Sequence, residues 1–386
     1  MRGFKDNVPP TSYAIEYIQK IFQEHSKLFG CDFVDMPLVE ESDLYFRTSG
    51  DASDVCNKEL FEVRKWKGEF ESWVLRPEGT ASCMRAIKEH SLLQHYRFLR
   101  FAYFAPMFRY NRPQKGRYRQ FLHAGWEFIA QEGVASDLEI IIGAVEFIKK
   151  FNINFTLEIN SIGTANDRTQ YRKQLREFYN LDDASDPLKV LDKSEDFENI
   201  PQMEINKKDA ENFDRLKKLL NENGIQFVHN PYLVRGLDYY NALVFELKAK
   251  SSGQTILAGG RYDGLMEQIG GTKVCAVGFA AGVERIIEHM EYNHINEKIA
   301  IIGLDNEQYT LQVAKKLRAS GHACVIFWNL DLKKALSEAN KQKYKYVVIC
   351  GEKEAQDETF VIKNLENRTE ITHSLHASID FANLQV

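Results

Sequence analysis

The chain has 386 residues, 44% of them hydrophobic and 27% charged, with a formal net charge of -5. That length favours a large domain followed by a smaller one, and the composition is that of a globular protein rather than a fibrous or wholly disordered chain. A pI near 6.1 excludes a surface coated in cations, so any nucleic-acid contact must be local.

No stretch approaches the roughly 18 apolar residues of a membrane span, and the start, MRGFKDNVPP, lacks the apolar core of a secretory signal. A protein of the cytoplasm, or of an organelle matrix if processed, is expected. Cysteines at 31, 56, 83, 275, 324 and 350 include no C-x-x-C pair. They suit neither a zinc site nor a disulfide framework, and free thiols are expected.

In chain order, Thr11 can cap a helix carrying Ile15, Ile18, Phe22 and Phe29 at helical spacing, with Gly30 as its stop. Cys31 to Val39 reads as a strand, with Pro37 suggesting an edge or interface. Arg97 to Ala130 alternates aromatic and polar residues, as long antiparallel strands joined by a basic loop would. Ser136 and Glu139 form a capping-box pattern ahead of Leu138, Ile141, Ile142, Val145 and Ile148. From about Thr164 to His229 the sequence turns charged and helix-forming, which predicts a partly helical insertion with few large apolar clusters. Strands are expected at Leu243 to Leu247 and Val274 to Gly278, then a helix with Val283, Ile286, Ile287 and Met290. The first domain is expected to span residues 1–292, with a polar connector from Glu291 to Lys298. Beyond it, IAIIGL, a helix through Leu311 to Leu317, ACVIF, a helix from Leu332 and YVVIC predict an α/β domain over 299–386 with parallel pairing.

The sharpest chemical feature is FRYNRPQKGRYRQF, where Arg109, Arg112, Lys115, Arg117 and Arg119 fall within eleven residues with no acid among them. Alone, the run also fits a solvated basic loop. Aromatic strands flank it, however, and arginine is the better choice for gripping phosphate or carboxylate with a planar fork. Lys115 and Gly116 suggest a turn, which would put Arg109 on the inbound strand and Arg117 and Arg119 on the return. LRPEGT places Glu78 and Thr80 together; if they face a pocket, carboxylate and hydroxyl suit an ammonium group. LVRGLDYY (Leu233 to Tyr240) and GGRYDGL (Gly259 to Leu265) each put arginine beside glycine, tyrosine and aspartate. AVGFAAGVERI (Ala276 to Ile286) has the small residues of close packing, with Glu284 and Arg285 opening a helix. Each motif singly also fits an ordinary turn or packing contact. Together they draw arginines from distant segments into one predicted domain.

In order and wording these segments, with RGFKDNVPP, DMPLVEESDLYFRTSGDASD, DPLKVLD and KKALSEANKQKYKYVVICGEKE, resemble the histidyl-tRNA synthetases, a family of class II aminoacyl-tRNA synthetases. The resemblance covers nearly the whole chain and implies an α+β fold. It would comprise an antiparallel sheet with flanking helices and a C-terminal α/β anticodon-binding domain. It also implies a homodimer, with Val34 to Glu40 as the dimer-forming segment.

The activity implied is ligation of histidine to its cognate tRNA. Histidine and ATP, with Mg2+, would form histidyl adenylate, and a terminal ribose hydroxyl of tRNA(His) would take the histidyl group. By resemblance, Arg109 and Arg235 hold the α-phosphate and substrate carboxylate, while Arg117 and Arg285 hold the outer phosphates and adenine face. Glu127 and Tyr240 match the imidazole-binding positions, with Tyr239 beside them, and Glu78 and Thr80 take the α-ammonium. Magnesium would ride on the pyrophosphate, with no dedicated protein metal site. The chain departs from the family in three places. Asn111 stands where a glutamate usually contacts adenine, and His123 where a glutamine contacts substrate. The insertion is also shorter than the bacterial form.

From Ile299 to Cys350 there are eight Lys or Arg against four Asp or Glu. Lys341, Lys343 and Lys345 alternate near tyrosines, as a confined phosphate contact or a solvated helix face would allow. The alternative function is a catalytically inactive, histidine-sensing regulatory subunit of ATP phosphoribosyltransferase. Such proteins characteristically lack the anticodon domain and lose catalytic arginines, whereas this chain keeps Arg109, Arg235 and Arg285.

Overall fold

A computed structural model describes residues 1–49, 58–64, 72–112, 114, 116–182, 186–192, 199–292, 298–379 and 381. They gather into two compact units, one closing at Tyr292 and the other running, among the described residues, from Lys298. Most of the connector (293–297), along with Lys115 and Cys56, lies outside the described residues.

The first unit opens with α1 (Thr11–Leu28), β1 (Asp32–Phe33), β2 (Val39–Glu41), α2 (Ser42–Ser49), β3 (Phe61–Val63), β4 (Trp73–Leu75), α3 (Thr80–Glu89) and α4 (Leu92–His95). The central pair β5 (Leu99–Phe108) and β6 (Gln120–Ile129) follows, then α5 (Val134–Lys149), β7 (Phe155–Ser161), α6 (Ala165–Tyr179), α7 (Pro187–Asp192), α8 (Lys207–Glu222) and β8 (Val228–His229). It closes with β9 (Asn241–Ala249), β10 (Thr255–Arg261), α9 (Leu265–Gln268), β11 (Ala276–Gly282) and α10 (Val283–His289).

Eight strands form one sheet in the order β1-β5-β6-β11-β10-β9-β7-β8, antiparallel throughout except at its two outermost pairs. Side chains alternate faces along each strand, so the sheet has two distinct sides. On one, Ala124, Trp126 and Phe128 of β6 and Val277, Phe279 and Ala281 of β11 join a core with α1, α5 and α8. On the other, Tyr103, Ala105 and Met107 of β5 join Tyr239, Tyr240 and Tyr262.

Several local expectations need correction. Thr11 is the first residue of α1 rather than its cap; Pro10 holds the cap position, and no side chain bonds there. Only Asp32–Phe33 of the segment Cys31 to Val39 is strand before Val39, and that strand lies at the sheet edge. The capping box at Ser136 is absent. α5 begins at Val134 behind Gly133; Ser136 Oγ donates back to the Gly133 and Gln131 carbonyls, and Glu139 pairs with Arg100 at 2.6 Å. The insertion is helical, but α8 buries Phe213, Leu216 and Leu220 in the main core, and β8 extends the main sheet. Gly259 and Gly260, whose motif also fitted an ordinary turn, lie inside β10.

The second unit contains β12 (Ile299–Gly303), α11 (Glu307–Ala319), β13 (Cys324–Phe327), α12 (Leu332–Lys341), β14 (Tyr346–Cys350), α13 (Glu352–Gln356), β15 (Thr359–Asn364) and β16 (Glu370–Ser374). β13, β12 and β14 pair in parallel as expected, and β15 and β16 add two antiparallel strands. Asn306 and Asp331 cap α11 and α12 by accepting the Tyr309 and Lys334 amides at 3.0 and 2.9 Å. Lys341 and Lys343 are exposed, whereas Lys345 reaches Glu366 at 3.6 Å and lies over the Tyr346 ring. The five described cysteines are free thiols, and no described helix is long and apolar enough to cross a membrane.

Candidate active site

The alternation on β6 that sends Trp126 into the core sends His123, Gly125 and Glu127 to the opposite face. β11 answers with Gly278 opposite Glu127 and Gly282 opposite His123, so the floor between the larger groups is built from residues without side chains. A Cβ at Gly278 would overlap the Glu127 carboxylate and come within 2.9 Å of the Tyr262 hydroxyl. One at Gly79 would lie 2.5 Å from the Tyr103 ring, and one at Gly125 would collide with the same ring. Glycine is required here for space.

Glu127 is 1% exposed and ringed by hydroxyls. Thr80 Oγ1 donates to its Oε1 at 2.7 Å and Tyr103 to the same oxygen at 3.1 Å, while Tyr262 donates to Oε2. Burial pushes the carboxyl up to about 8, against the three hydroxyls that favour its ionised form. Burial also holds the phenols of Tyr103, Tyr239 and Tyr262 well above their ordinary value, so all three remain protonated donors. Tyr239 and Tyr240 pack with ring centroids 4.7 Å apart, and Tyr239 meets Tyr262 edge-on at 5.7 Å. A buried carboxylate within a cage of phenols can accept a ring N–H while excluding water.

Beside this cage, Glu78 accepts the Thr80 and Ala81 amides at 2.6 and 2.9 Å. It thereby satisfies the opening amides of α3, whose cap position is Gly79 and has no side chain to do so. Burial raises its pKa, and those two amides oppose the rise. Each oxygen keeps a further lone pair for an ammonium donor.

The arginines converge from three segments. Arg109, one residue past β5, donates Nε to the Pro77 carbonyl at 2.8 Å. Arg235, in the loop before β9, donates to Glu246 and lies over the Tyr240 ring. Arg285, on α10, donates to the Thr255 carbonyl; burial lowers its pKa, and Arg117 and Arg109 lower it further. His123 is held neutral, well below its ordinary value, first by burial and then by Arg109, Arg285, Arg235 and Arg76. Its Nδ1 is buried without a hydrogen-bond partner. A pocket whose cations repel one another and neutralise a nearby imidazole is built for anions.

The basic run divides. The Arg109 amide bonds the Arg119 carbonyl at 2.9 Å, continuing the β5–β6 ladder, and Gly116 turns the tip at φ 67°. Arg117 is exposed, and its charge lowers the pKa of Arg285. Arg119 stacks over Tyr110 at 3.7 Å and ties the loop to the N-terminus through the Arg2 carbonyl. Asn111 sits directly after this strand end, its amide bonded to the Arg109 carbonyl at 2.8 Å.

Two arginines of the singled-out motifs do not face the site. Arg261 turns to the other side of the sheet, where its Nε and Nη2 donate to Asp137 Oδ1 at 2.9 and 2.5 Å. Its successor Tyr262 therefore faces the site, which strand alternation through GGRYDGL would have indicated. Arg76, 1% exposed, bonds the Met36, Pro37 and Pro106 carbonyls and is structural. Tyr103 and Glu246 also face the site, although neither stands in a conspicuous motif of the sequence.

A mainly antiparallel sheet flanked by helices, with these groups on one face, is the class II aminoacyl-tRNA synthetase arrangement. The histidyl-tRNA synthetase family model matches residues 3–166 and 156–286, and the anticodon binding domain model matches 298–383. The chain belongs to the histidyl-tRNA synthetase family. It is 36% identical over 405 aligned residues to the histidine–tRNA ligase of Blochmanniella pennsylvanica, covering 96% of this chain and 92% of that one. It is 33% identical to that of Marinomonas sp., covering 100% and 98%. The apo histidyl-tRNA synthetase of S. aureus superposes with a TM-score of 0.78 at 26% identity over 97% of each chain. That of Nostoc sp. PCC 7120 shares the fold, with a TM-score of 0.74 at 18% identity.

Proposed function

We propose that the chain charges tRNA(His) with histidine in two steps, using ATP. What supports this reading above all is the juxtaposition, on one face of one sheet, of a hydroxyl-ringed Glu127 and a group of mutually repelling arginines. Histidine enters with its imidazole toward Glu127 and Tyr240, beside Tyr239, and its ammonium on Glu78 and Thr80. An apolar side chain of similar size would offer the buried Glu127 no ring N–H beyond the three hydroxyls it already accepts from, and the loss of that buried bond is the usual source of strong discrimination.

The histidine carboxylate, held by Arg109 and Arg235, attacks the α-phosphorus of ATP in line. A new C–O–P linkage forms as the bond to pyrophosphate breaks. Charge accumulates on the phosphoryl oxygens during this step, and preorganised guanidinium groups supply most of the acceleration. Arg117 and Arg285 take the outer phosphates and adenine face, with Asn111 at the adenine edge and His123 beside the carboxylate. The nearby acids Glu246 and Glu284 already accept hydrogen bonds, from Arg235 and Thr255 and from the Leu122 amide. Such a donor set suits a magnesium ion carried on the nucleotide with most of its water. A terminal ribose hydroxyl of the tRNA then attacks the mixed anhydride and releases AMP.

The second unit holds the anticodon stem, and a second copy of the chain covers the exposed Phe33, Leu38, Val39 and Phe46 around Val34 to Glu40. The protein works in the cytoplasm as a homodimer. ATP–pyrophosphate exchange tests the first step: histidine alone among the amino acids should support it, and no exchange with histidine would sink the enzyme reading. Sedimentation tests the dimer, which a monomer at micromolar concentration would rule out.

A further inference from the structure

Four arginines that repel one another need something to fix their spacing, and β9 and β10 supply it. Glu246, 7% exposed on β9, accepts a hydrogen bond from Arg235 at Oε1 and from the Thr255 hydroxyl at Oε2, the latter at 2.7 Å. The Thr255 carbonyl accepts from Arg285 Nη1. Thr255 is therefore bonded to Arg285 directly and to Arg235 through one buried carboxylate.

The strand register explains how one residue reaches both. Ala258 lies opposite Glu246 and Leu257 opposite Leu247, so a regular antiparallel ladder would place Ile256 opposite Lys248. Instead the register shifts between Thr255 and Leu257, and Thr255 takes that place. An extra residue in a strand reverses the face on which the preceding side chain emerges, so the Thr255 hydroxyl falls on the same side as Glu246. Ile256 and Leu257 both go to the core. Lys248, the other cation near Glu246, lies 3.7 Å from it and is held by Glu158 at 2.9 Å. Electrostatics point the same way: Arg117, Arg109 and Arg235 all lower the pKa of Arg285, whereas Glu246 raises it.

We propose that Thr255 and Glu246 form a positioning bracket that sets the spacing between Arg235 and Arg285 for adenylate formation. Both residues act through the arginines they bond. Glu246 opposes the repulsion between the two guanidinium groups and fixes the Arg235 fork, while the bulge delivers the Thr255 carbonyl to Arg285. Both arginines thus meet ATP already aimed, and the reorganisation that a loose pair would require is avoided.

The inference rests on reading this pocket as the adenylation site, and a wild-type chain without histidine-dependent exchange would remove that reading itself. Given exchange, steady-state kinetics and calorimetric histidine binding are compared for Glu246→Gln, Thr255→Val, Thr255→Ser and the double variant Glu246→Gln/Thr255→Val. Glu246→Gln should lower kcat about 10- to 100-fold with the histidine Kd within about twofold of wild type. Thr255→Val should lose about 3- to 10-fold, Thr255→Ser should restore the rate, and the double variant should be no slower than Glu246→Gln. The Thr255 pair carries the test even if Glu246→Gln does not fold. The bracket is refuted if Thr255→Val and Thr255→Ser are equally active, or if the two losses multiply independently.

Discussion

Tyr262→Phe removes one oxygen and nothing else from the site, which makes it a sharp probe of how Glu127 works. Thr80 and Tyr103 both donate to Oε1, and Tyr262 donates to Oε2. Its loss strips Oε2 of a charge-assisted bond at full burial. Such bonds contribute about 1.5–3 kcal/mol, so kcat/KM for histidine should fall about 10- to 100-fold, with KM for ATP little changed. A second consequence concerns pH. The bond from Tyr262 favours the ionised carboxylate, which stands at about 8 in the intact cage, so removing it pushes the value higher. If, as proposed, the carboxylate accepts the imidazole N–H, the limb of kcat/KM that rises through about pH 8 should move to higher pH in the variant. The assay is ATP–pyrophosphate exchange at varied histidine from pH 6 to 9.5, the substrate's own titration cancelling between the two proteins. An unchanged kcat/KM, or a loss expressed equally in KM for ATP with no shift of the limb, would refute the role given to Glu127.

Glu127 also governs the free protein. Its folded-state value lies above its unfolded one, so its contribution to stability is fully present below about 4.5 and lost as pH rises through about 8. The melting temperature of the free protein should therefore fall across that window, less steeply in Glu127→Gln; parallel slopes would contradict this. Gly278→Ala drives a methyl group into the Glu127 carboxylate and should cost at least about tenfold in kcat/KM for histidine, measured by exchange, with wild-type kinetics as the contrary result. Arg261→Ala strands the buried Asp137 and should cost about 3–5 kcal/mol of folding stability. Urea unfolding followed by fluorescence checks this, and a wild-type curve would refute the structural role given to the Arg261–Asp137 pair. Glu78→Ala removes the acceptor of the first amides of α3. It should cost about 0.5–2 kcal/mol by thermal melting while weakening histidine binding in calorimetry; an unchanged melt would deny Glu78 its capping role.

Features with strong local signals were legible in the sequence. The β5–β6 hairpin announced itself through alternation, and the three parallel strands of the second unit through uninterrupted apolar runs. The start of α5 departs from its local capping pattern because Ser136 and Glu139 take tertiary partners in Arg261 and Arg100. β10 was missed because its glycines signal turns, although here they clear space beneath neighbouring strands. The site divides in the same way. Glu78, Thr80, Arg109, Arg235 and Arg285 stand in conspicuous motifs. Tyr103, Glu246 and Tyr262 act through partners more than twenty residues distant or through a register shift, and neither is visible in local spacing.

The most direct test of the central claim is charging itself. The full chain is incubated with ATP, magnesium, labelled histidine and a tRNA(His) transcript, alongside a transcript lacking its terminal adenosine and a second transcript for another amino acid. Label joined to the intact tRNA(His) alone, through an alkali-labile ester and abolished in Arg235→Ala, is the predicted result. Histidine binding without any transfer of label would contradict the account and mark the chain as a sensor of histidine.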